Sequence, residues 1–247
     1  MKWIPPQTNR EELLDLGRGT LAEVRRSLHD IRRINTYLGG SAVVLNATNK
    51  LLQKHTLQKH EAQNATILDI GTGCADLPLR LIEQAERRGL AIRVLALDNN
   101  ARHLKIARED LDAANTRSRN VHLLQADAFR LPLPDNAVDV VISSLFLHHF
   151  RAPQIVALLR EFHRVSRVGW AMNDLVRHNI PLVFFRLTRP VFARSYITRH
   201  DGEASLRRGY TAAEMKQIVA PIEGAQVREH FPFRMSIVCE KRDLIER

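Results

Sequence analysis

Between residues 65 and 172 short apolar runs of strand length alternate with segments of helical spacing, and this rhythm constrains the fold more than any other feature. Thr66 to Ile70 is such a run, followed by Gly71-Thr-Gly73 and then by a helical pattern from Asp76 to Arg88 through Leu77, Leu81, Ile82 and Ala85. The next strands are expected at Ile92 to Leu97, Val121 to Gln125, Val138 to Ser143 and Val168 to Met172, with helices at Ala101 to Ala114 and Pro153 to Val165. Strands alternating with helices at this pitch imply right-handed crossovers and a parallel sheet covered on both faces. Two last runs, Ala225 to His230 and Arg234 to Cys239, are separated only by Phe231 to Phe233. That gap is too short for a parallel crossover, so the final strand runs antiparallel. The expected class is therefore α/β, a Rossmann-like seven-stranded sheet, mostly parallel with an antiparallel last strand.

Residues outside this rhythm divide into two groups. Leu13, Leu14, Leu21, Val24, Leu28, Ile31, Ile34 and Leu38 recur at three- and four-residue steps, Gly39-Gly40 breaks the pattern, and a second apolar set runs from Val43 through Leu52 towards Leu57. These predict an N-terminal helical cap over residues 1–64 ahead of the main domain at 65–247. The main domain carries an apolar, aromatic insertion at about 175–208, including Phe184, which falls on the ligand edge of the sheet and reads as a helical lid, with a membrane-surface helix and plain packing as the alternatives.

Composition excludes several classes. Hydrophobic residues at 45% and charged residues at 26% rule out a disordered or low-complexity chain. Cys74 and Cys239 cannot form a disulfide framework and neither has the neighbours of a zinc site, so no metal is expected. No run is long enough to span a bilayer and Met1 to Pro6 does not open a secretory signal, which makes the cytoplasm the expected compartment. The net charge of +10 sits on the flanks: residues 1–65 carry +4, residues 66–150 carry −1 and residues 151–247 carry +7. A nucleic-acid binder would use such a surplus. Yet 30 of the 37 basic residues are Arg and no basic run reaches five, so a solvated surface is the preferred reading and an RNA partner the alternative.

Open α/β sheets bind ligands at the carboxyl ends of their strands, where strand order reverses. Here the first strand ends in Asp69, Gly71, Thr72, Gly73 and Asp76, the second in Asp98 and Asn99, the third in Asp127 and Ala128, and the fourth in Ser143 and Ser144 before His148 and His149. The glycines allow a tight turn and close backbone approach at a helix N-terminus. Each acid has a structural alternative: Asp76 as a first-turn charge, Asp98 and Asp127 as caps. Four consecutive strand ends closing on polar groups are harder to assign to structure alone.

These motifs resemble, in order and spacing, those of class I S-adenosylmethionine-dependent methyltransferases, firmly over residues 65–175 and loosely beyond. Ala75 stands where that family often has a third glycine. The resemblance implies that Gly71 and Gly73 pass under the methionine part of S-adenosyl-L-methionine with Thr72 and Asp76 in the same loop, and that Asp69 lies near its amino group. It further implies that Asp98 binds the ribose hydroxyls, Asn99 flanks the adenine, and Asp127, with Ala128, meets the adenine amino group. Ser143 and Ser144 would line the methyl-donor end. A dinucleotide-dependent dehydrogenase, the rival at the level of fold, would prefer GxGxxG and leaves Asp127 unexplained.

The sulfonium methyl is already activated, so alignment and deprotonation of an acceptor remain. His148 and His149 are the candidate bases, with packing under the next helix as the alternative role. No Asn/Asp-Pro-Pro-aromatic sequence follows the fourth strand and neither cysteine is placed as a nucleophile, which argues against nucleobase targets. Asp174, Arg177, Phe184, Arg207 and Tyr210 are the candidate acceptor contacts, with salt bridges to Asp201 or Glu203 as the alternative for Arg207. The stretch 173–177, the segment 201–210 and the N-terminal helices are similar to a bacterial subgroup of polyketide and quinone-type pathways. That resemblance implies a small, aromatic or phenolic, hydrophobic acceptor, methylated on oxygen ahead of carbon. Contact of the lid with a membrane surface, an RNA substrate, and a non-catalytic cofactor-binding role stay open.

Overall fold

The computed structural model describes residues 4–59, 65–114 and 119–241. The side chain of Leu57 and the end of the expected cap at residue 64 lie outside the described residues. Two helices, α1 (Leu21–Tyr37) and α2 (Gly40–Lys59), precede the sheet. Then follow β1 (Ala65–Ile70), α3 (Asp76–Glu86), β2 (Ile92–Asp98), α4 (Ala101–Ala113), β3 (Val121–Gln125) and β4 (Val138–Ser144). A 3-10 turn at Leu147–His149 leads into α5 (Ala152–Val165) and β5 (Ser166–Leu175). The chain closes with α6 (Asn179–Phe192), α7 (Tyr196–Arg208), α8 (Ala212–Val219), β6 (Ala225–His230) and β7 (Arg234–Glu240).

The strands form one sheet in the order β3-β2-β1-β4-β5-β7-β6. β1, β2, β3, β4 and β5 pair in parallel. β7 is antiparallel to both β5 and β6, as the three-residue 231–233 connection requires. Order reverses between β1 and β4, the place at which doubly wound sheets bind their ligands.

Successive side chains of a strand point to opposite faces, and β1 shows what this does for the site. Ile67 packs with Val44, Leu45, Leu81 and Ile82 from α2 and α3, whereas Leu68 and Ile70 pack with Leu158, Leu159 and Phe162 of α5. Ile67, Leu68 and Ile70 are fully buried. At roughly 1.5–3 kcal/mol for each such side chain, β1 is a fixed platform for the loop that follows it. Of the two N-terminal helices α2 shares this layer, lying against β4, β5 and β7, while α1 packs on α2, α4 and α7.

The first helix starts later than the apolar spacing predicts. Gly17 (φ +63°) and Gly19 (φ +85°) take left-handed backbone, and Thr20 with Glu23 closes a reciprocal capping box. Leu13 and Leu14 lie instead in a turn whose amides donate to Asp201 of α7 at 2.8 and 3.1 Å. The 175–208 segment holds two helices, α6 and α7. α7 docks on α1 through Ser195 N to Asp30 Oδ2 (2.8 Å) and Thr198 Oγ1 to Ser27 Oγ (3.0 Å). Among the described residues no helix is long and apolar enough to cross a membrane.

Candidate active site

The loop after β1 is held from beneath by β2. Gly71 N and Thr72 N both donate to Leu97 O at 2.9 Å, and Gly73 N donates to Asp98 Oδ2 at 3.1 Å. Gly71 has φ +71°, and a Cβ there would stand 2.8 Å from Cδ2 of Phe146, so both conformation and space demand glycine. Ala75 sustains φ 58° as the residue that opens α3, so alanine serves where a third glycine is common.

Asp69, at the end of β1, is 2% exposed and its Oδ2 has no hydrogen-bond partner. Burial pushes its carboxyl up to about 8, with Asp76 and Asp98 adding to the shift and the Thr72 hydroxyl opposing it. A buried acid without a partner is costly unless a ligand supplies a cation or donor. Burial also raises Asp76, against the pull of Arg32 and Arg80. Asp98 spans the next gap: besides Gly73 its carboxylate accepts from Asn100 N at 2.9 Å and faces His103 Nδ1 at 3.4 Å. Asn99 is exposed and its carbonyl accepts from Gln125. Asp127 is exposed and accepts from Phe129 N at 2.9 Å, which is the turn-capping role the sequence left open, while Ala128 is buried in the core.

At the end of β4, Ser143 Oγ donates to Ile70 O (2.7 Å), and Ser144 Oγ accepts from Asn35 (3.0 Å) and Asn173 (2.8 Å). Ser143 therefore ties β4 to β1, and Ser144 ties it to α1 and β5. Beyond them Phe146 leans over Gly71 and meets Phe150 edge-on at 4.9 Å, and Phe150 meets Phe129 at 5.3 Å. This aromatic group joins the ends of β1, β3 and β4 and was not singled out in the sequence, where the three rings have no shared period. Asn35 was missed as well, because an asparagine within a helical pattern looks like surface.

The two histidines are brought together, but neither is an isolated base. His148 is buried, with Nδ1 2.7 Å from Asp174 Oδ1, its amide donating to Asp174 Oδ2 at 2.9 Å, and Nε2 3.5 Å from Glu12 Oε1. Burial disfavours the charged ring, yet Asp174 and Glu12 outweigh it and push the imidazole up to about 10. His148 is thus tied between two carboxylates, Asp174 at Nδ1 and Glu12 at Nε2. His149 stacks beside it at 4.3 Å, with Nδ1 2.9 Å from Asp15 and Nε2 4.0 Å from Glu12. Glu12 and Asp174 are in turn held below the usual carboxylate range: burial acts to raise them, and the imidazoles outweigh it.

The expected acceptor contacts take mostly internal partners. Arg177 is buried and donates to Pro5 O (2.6 Å), Gly209 O (3.0 Å) and Glu214 (2.5 Å), so it ties three segments together instead of meeting a ligand. Arg207 stands 3.6 Å from Glu203, the salt bridge weighed as its alternative. Tyr210 donates its hydroxyl to Phe150 O at 2.8 Å, and Asp174 is committed to His148. Phe184 alone is exposed, on α6, beside Ile180, Val183, Leu187 and Val191.

Comparison with known proteins agrees with this geometry. Residues 67–169 match the family described as "Methyltransferase domain". A demethylmenaquinone methyltransferase of Listeria welshimeri is 31% identical over 153 residues, 58% of this chain and 62% of that protein. Its namesake from Staphylococcus epidermidis is 26% identical over 157 residues, 60% of this chain and 61% of that protein. The chain thus spans about three fifths of the length of these relatives. Among solved structures, a SAM-dependent methyltransferase from Aquifex aeolicus superposes with a TM-score of 0.52 at 20% identity, covering 76% of this chain and 88% of that one. A magnesium protoporphyrin IX methyltransferase from Synechocystis, solved with bound SAH, gives 0.52 at 11% identity over 80% and 83%. The seven-stranded Rossmann-like fold of these enzymes is the fold of this chain.

Proposed function

Taking residues 67–169 as a methyltransferase domain, we propose that the protein is an S-adenosyl-L-methionine-dependent methyltransferase. Its acceptor in this reading is a small, hydrophobic, aromatic molecule of the phenol or quinol type. The observation that carries it is the end of β1 at the reversal of strand order, where a glycine turn under the Phe146 ring adjoins the buried, partnerless Oδ2 of Asp69. The residues fit the cofactor: an ammonium group answers the orphaned carboxyl oxygen, Asp98 presents its carboxylate at the end of β2, and Asp127 stands exposed at the end of β3. When bound, the cofactor supplies an electrophilic methyl group.

The protein's own contribution is then to position the acceptor and remove its proton. Phe129, Phe146 and Phe150 offer an aromatic wall beside the glycine turn. The acceptor's proton is taken up at the group formed by His148 and His149, which follow β4, and Glu12 of the N-terminal turn. The exposed apolar face of α6 supports a hydrophobic acceptor, and the likeness to demethylmenaquinone methyltransferases supports a quinone-type ring. Oxygen is the preferred atom because a phenolate needs no activation beyond loss of its proton. The N-terminal segment and the 175–208 insertion close this edge of the sheet.

The test is methyl-label transfer from S-adenosylmethionine into a fractionated bacterial lysate, with Asp98→Ala as control. Label in the organic extract, absent with the variant, is expected. Label in RNA would overturn the small-molecule reading and turn the basic flanks into a binding surface. Binding of S-adenosylhomocysteine by Asp98→Ala with wild-type affinity would overturn the placement of the cofactor.

A further inference from the structure

Glu12, His148 and His149 have the layout of a metal centre as well as of an acid–base group. The Nε2 atoms of both histidines face the Glu12 carboxylate, at 3.5 Å from Oε1 and 4.0 Å from Oε2, and one ligand atom from each residue lies within 4.8 Å of the others. Around a tetrahedral ion with bonds of about 2.0–2.1 Å, ligand atoms stand roughly 3.3 Å apart. Small side-chain adjustments bring the three atoms to that spacing. His148 is only 4% exposed, yet its Nε2 has no hydrogen-bond partner and is aimed at this point.

The surroundings match as well. Metal-bound histidines almost always donate their other ring nitrogen to a carboxylate or carbonyl, which fixes tautomer and orientation. Here both do: His148 Nδ1 meets Asp174 at 2.7 Å, and His149 Nδ1 meets Asp15 at 2.9 Å. Asp174 is held further by the His148 and Leu175 amides. Glu12, Asp15, Asp174 and Asp201 face the group against two cations, Arg208, 3.9 Å from Glu12, and Arg234, which acts on Asp174. The balance is negative. His149, whose side chain is 21% exposed, leaves a route from solvent.

We propose that Glu12, His148 and His149 bind one divalent transition-metal ion of the zinc class, with Asp174 and Asp15 as the carboxylates that orient the two imidazoles. Two histidines and one carboxylate leave coordination positions open. An acceptor hydroxyl bound there would lose its proton more readily; that role rests on the proposed methyl transfer, whereas ion binding does not.

The experiment strips the full chain with a chelator, loads it with Zn²⁺ or Co²⁺, removes excess by gel filtration and measures metal content and the visible Co²⁺ bands. S-adenosylhomocysteine affinity is measured on the same samples. One ion per chain is expected, with affinity falling at least tenfold in Glu12→Gln and in His149→Ala and about tenfold in Asp15→Asn. The exposed His122→Ala is expected to bind as wild type. X-ray absorption of the loaded wild-type protein is expected to show two imidazole ligands, a readout that survives even if the variants fail to fold. No retained ion, retention undiminished in folded Glu12→Gln and His149→Ala, or a spectrum without imidazole overturns the site. Cofactor affinity without metal retention sinks this proposal alone. Metal retention without cofactor affinity sinks the methyltransferase reading and leaves the site standing.

Discussion

Replacing Asp69 with asparagine separates what this carboxyl costs the fold from what it gives the cofactor. In the folded chain burial holds the acid near 8, with Asp76 and Asp98 adding to the shift, against 3.8 for the free group. The folded state therefore keeps a proton that the unfolded chain has released throughout that interval. Stability is full below the unfolded value and falls as pH rises, at about 1.4 kcal/mol per pH unit, until the folded group ionises near 8. Between pH 6 and pH 8 the wild-type protein should thus lose on the order of 2 kcal/mol relative to Asp69→Asn, whose amide does not titrate. Urea denaturation of both proteins at the two pH values, without cofactor, reads this difference directly. Binding should change in the opposite sense: loss of a charge-assisted contact to an ammonium group, about 1.5–3 kcal/mol, weakens S-adenosylmethionine by roughly 10–100-fold. Parallel stabilities across the pH range would show that Asp69 is not held protonated, and unchanged affinity would remove it from the cofactor site.

Two further substitutions probe the glycine turn and α6. Gly71→Ala places a side chain at φ +71° and 2.8 Å from the Phe146 ring; a loss of roughly 1–2 kcal/mol from the left-handed backbone is expected in denaturation, with S-adenosylhomocysteine affinity reduced at least tenfold by calorimetry. Wild-type affinity in that variant would mean the turn does not approach the ligand. Leu187→Asp alters a side chain that is 75% exposed, so stability should stay within about 0.5 kcal/mol. The KM for a hydrophobic acceptor should rise several-fold with kcat retained. Steady-state kinetics showing no change in KM would detach α6 from acceptor capture.

The sheet was legible because its signals are local. Strand runs, helical spacing and the three-residue 231–233 link depend on neighbours a few positions apart, and they imply seven strands with the last reversed, as observed. The same holds for the glycine turn and the acids at strand ends, since a strand delivers its last residues to one edge whatever surrounds it. The start of α1 was misplaced because apolar spacing carries through Leu13 and Leu14, while Gly17, Gly19 and the Thr20 cap override it.

What only tertiary structure decided is where charges meet. Glu12 lies 136 residues before His148 and Asp174 lies 26 after it, and no period or spacing links them. They converge because the turn at Leu13 and Leu14 is pinned to Asp201 of α7, and because β5 runs beside β4 and delivers Asp174 to the same edge. Arg177 was likewise unreadable as a structural tie, since Pro5, Gly209 and Glu214 become its neighbours only in the packed chain. Hydrophobic pattern is a property of segments and survives in one dimension. The pairing of His148 with Asp174, the orphaned oxygen of Asp69 and the convergence of two imidazoles on one carboxylate depend on desolvation and distance, which exist only once the segments are packed.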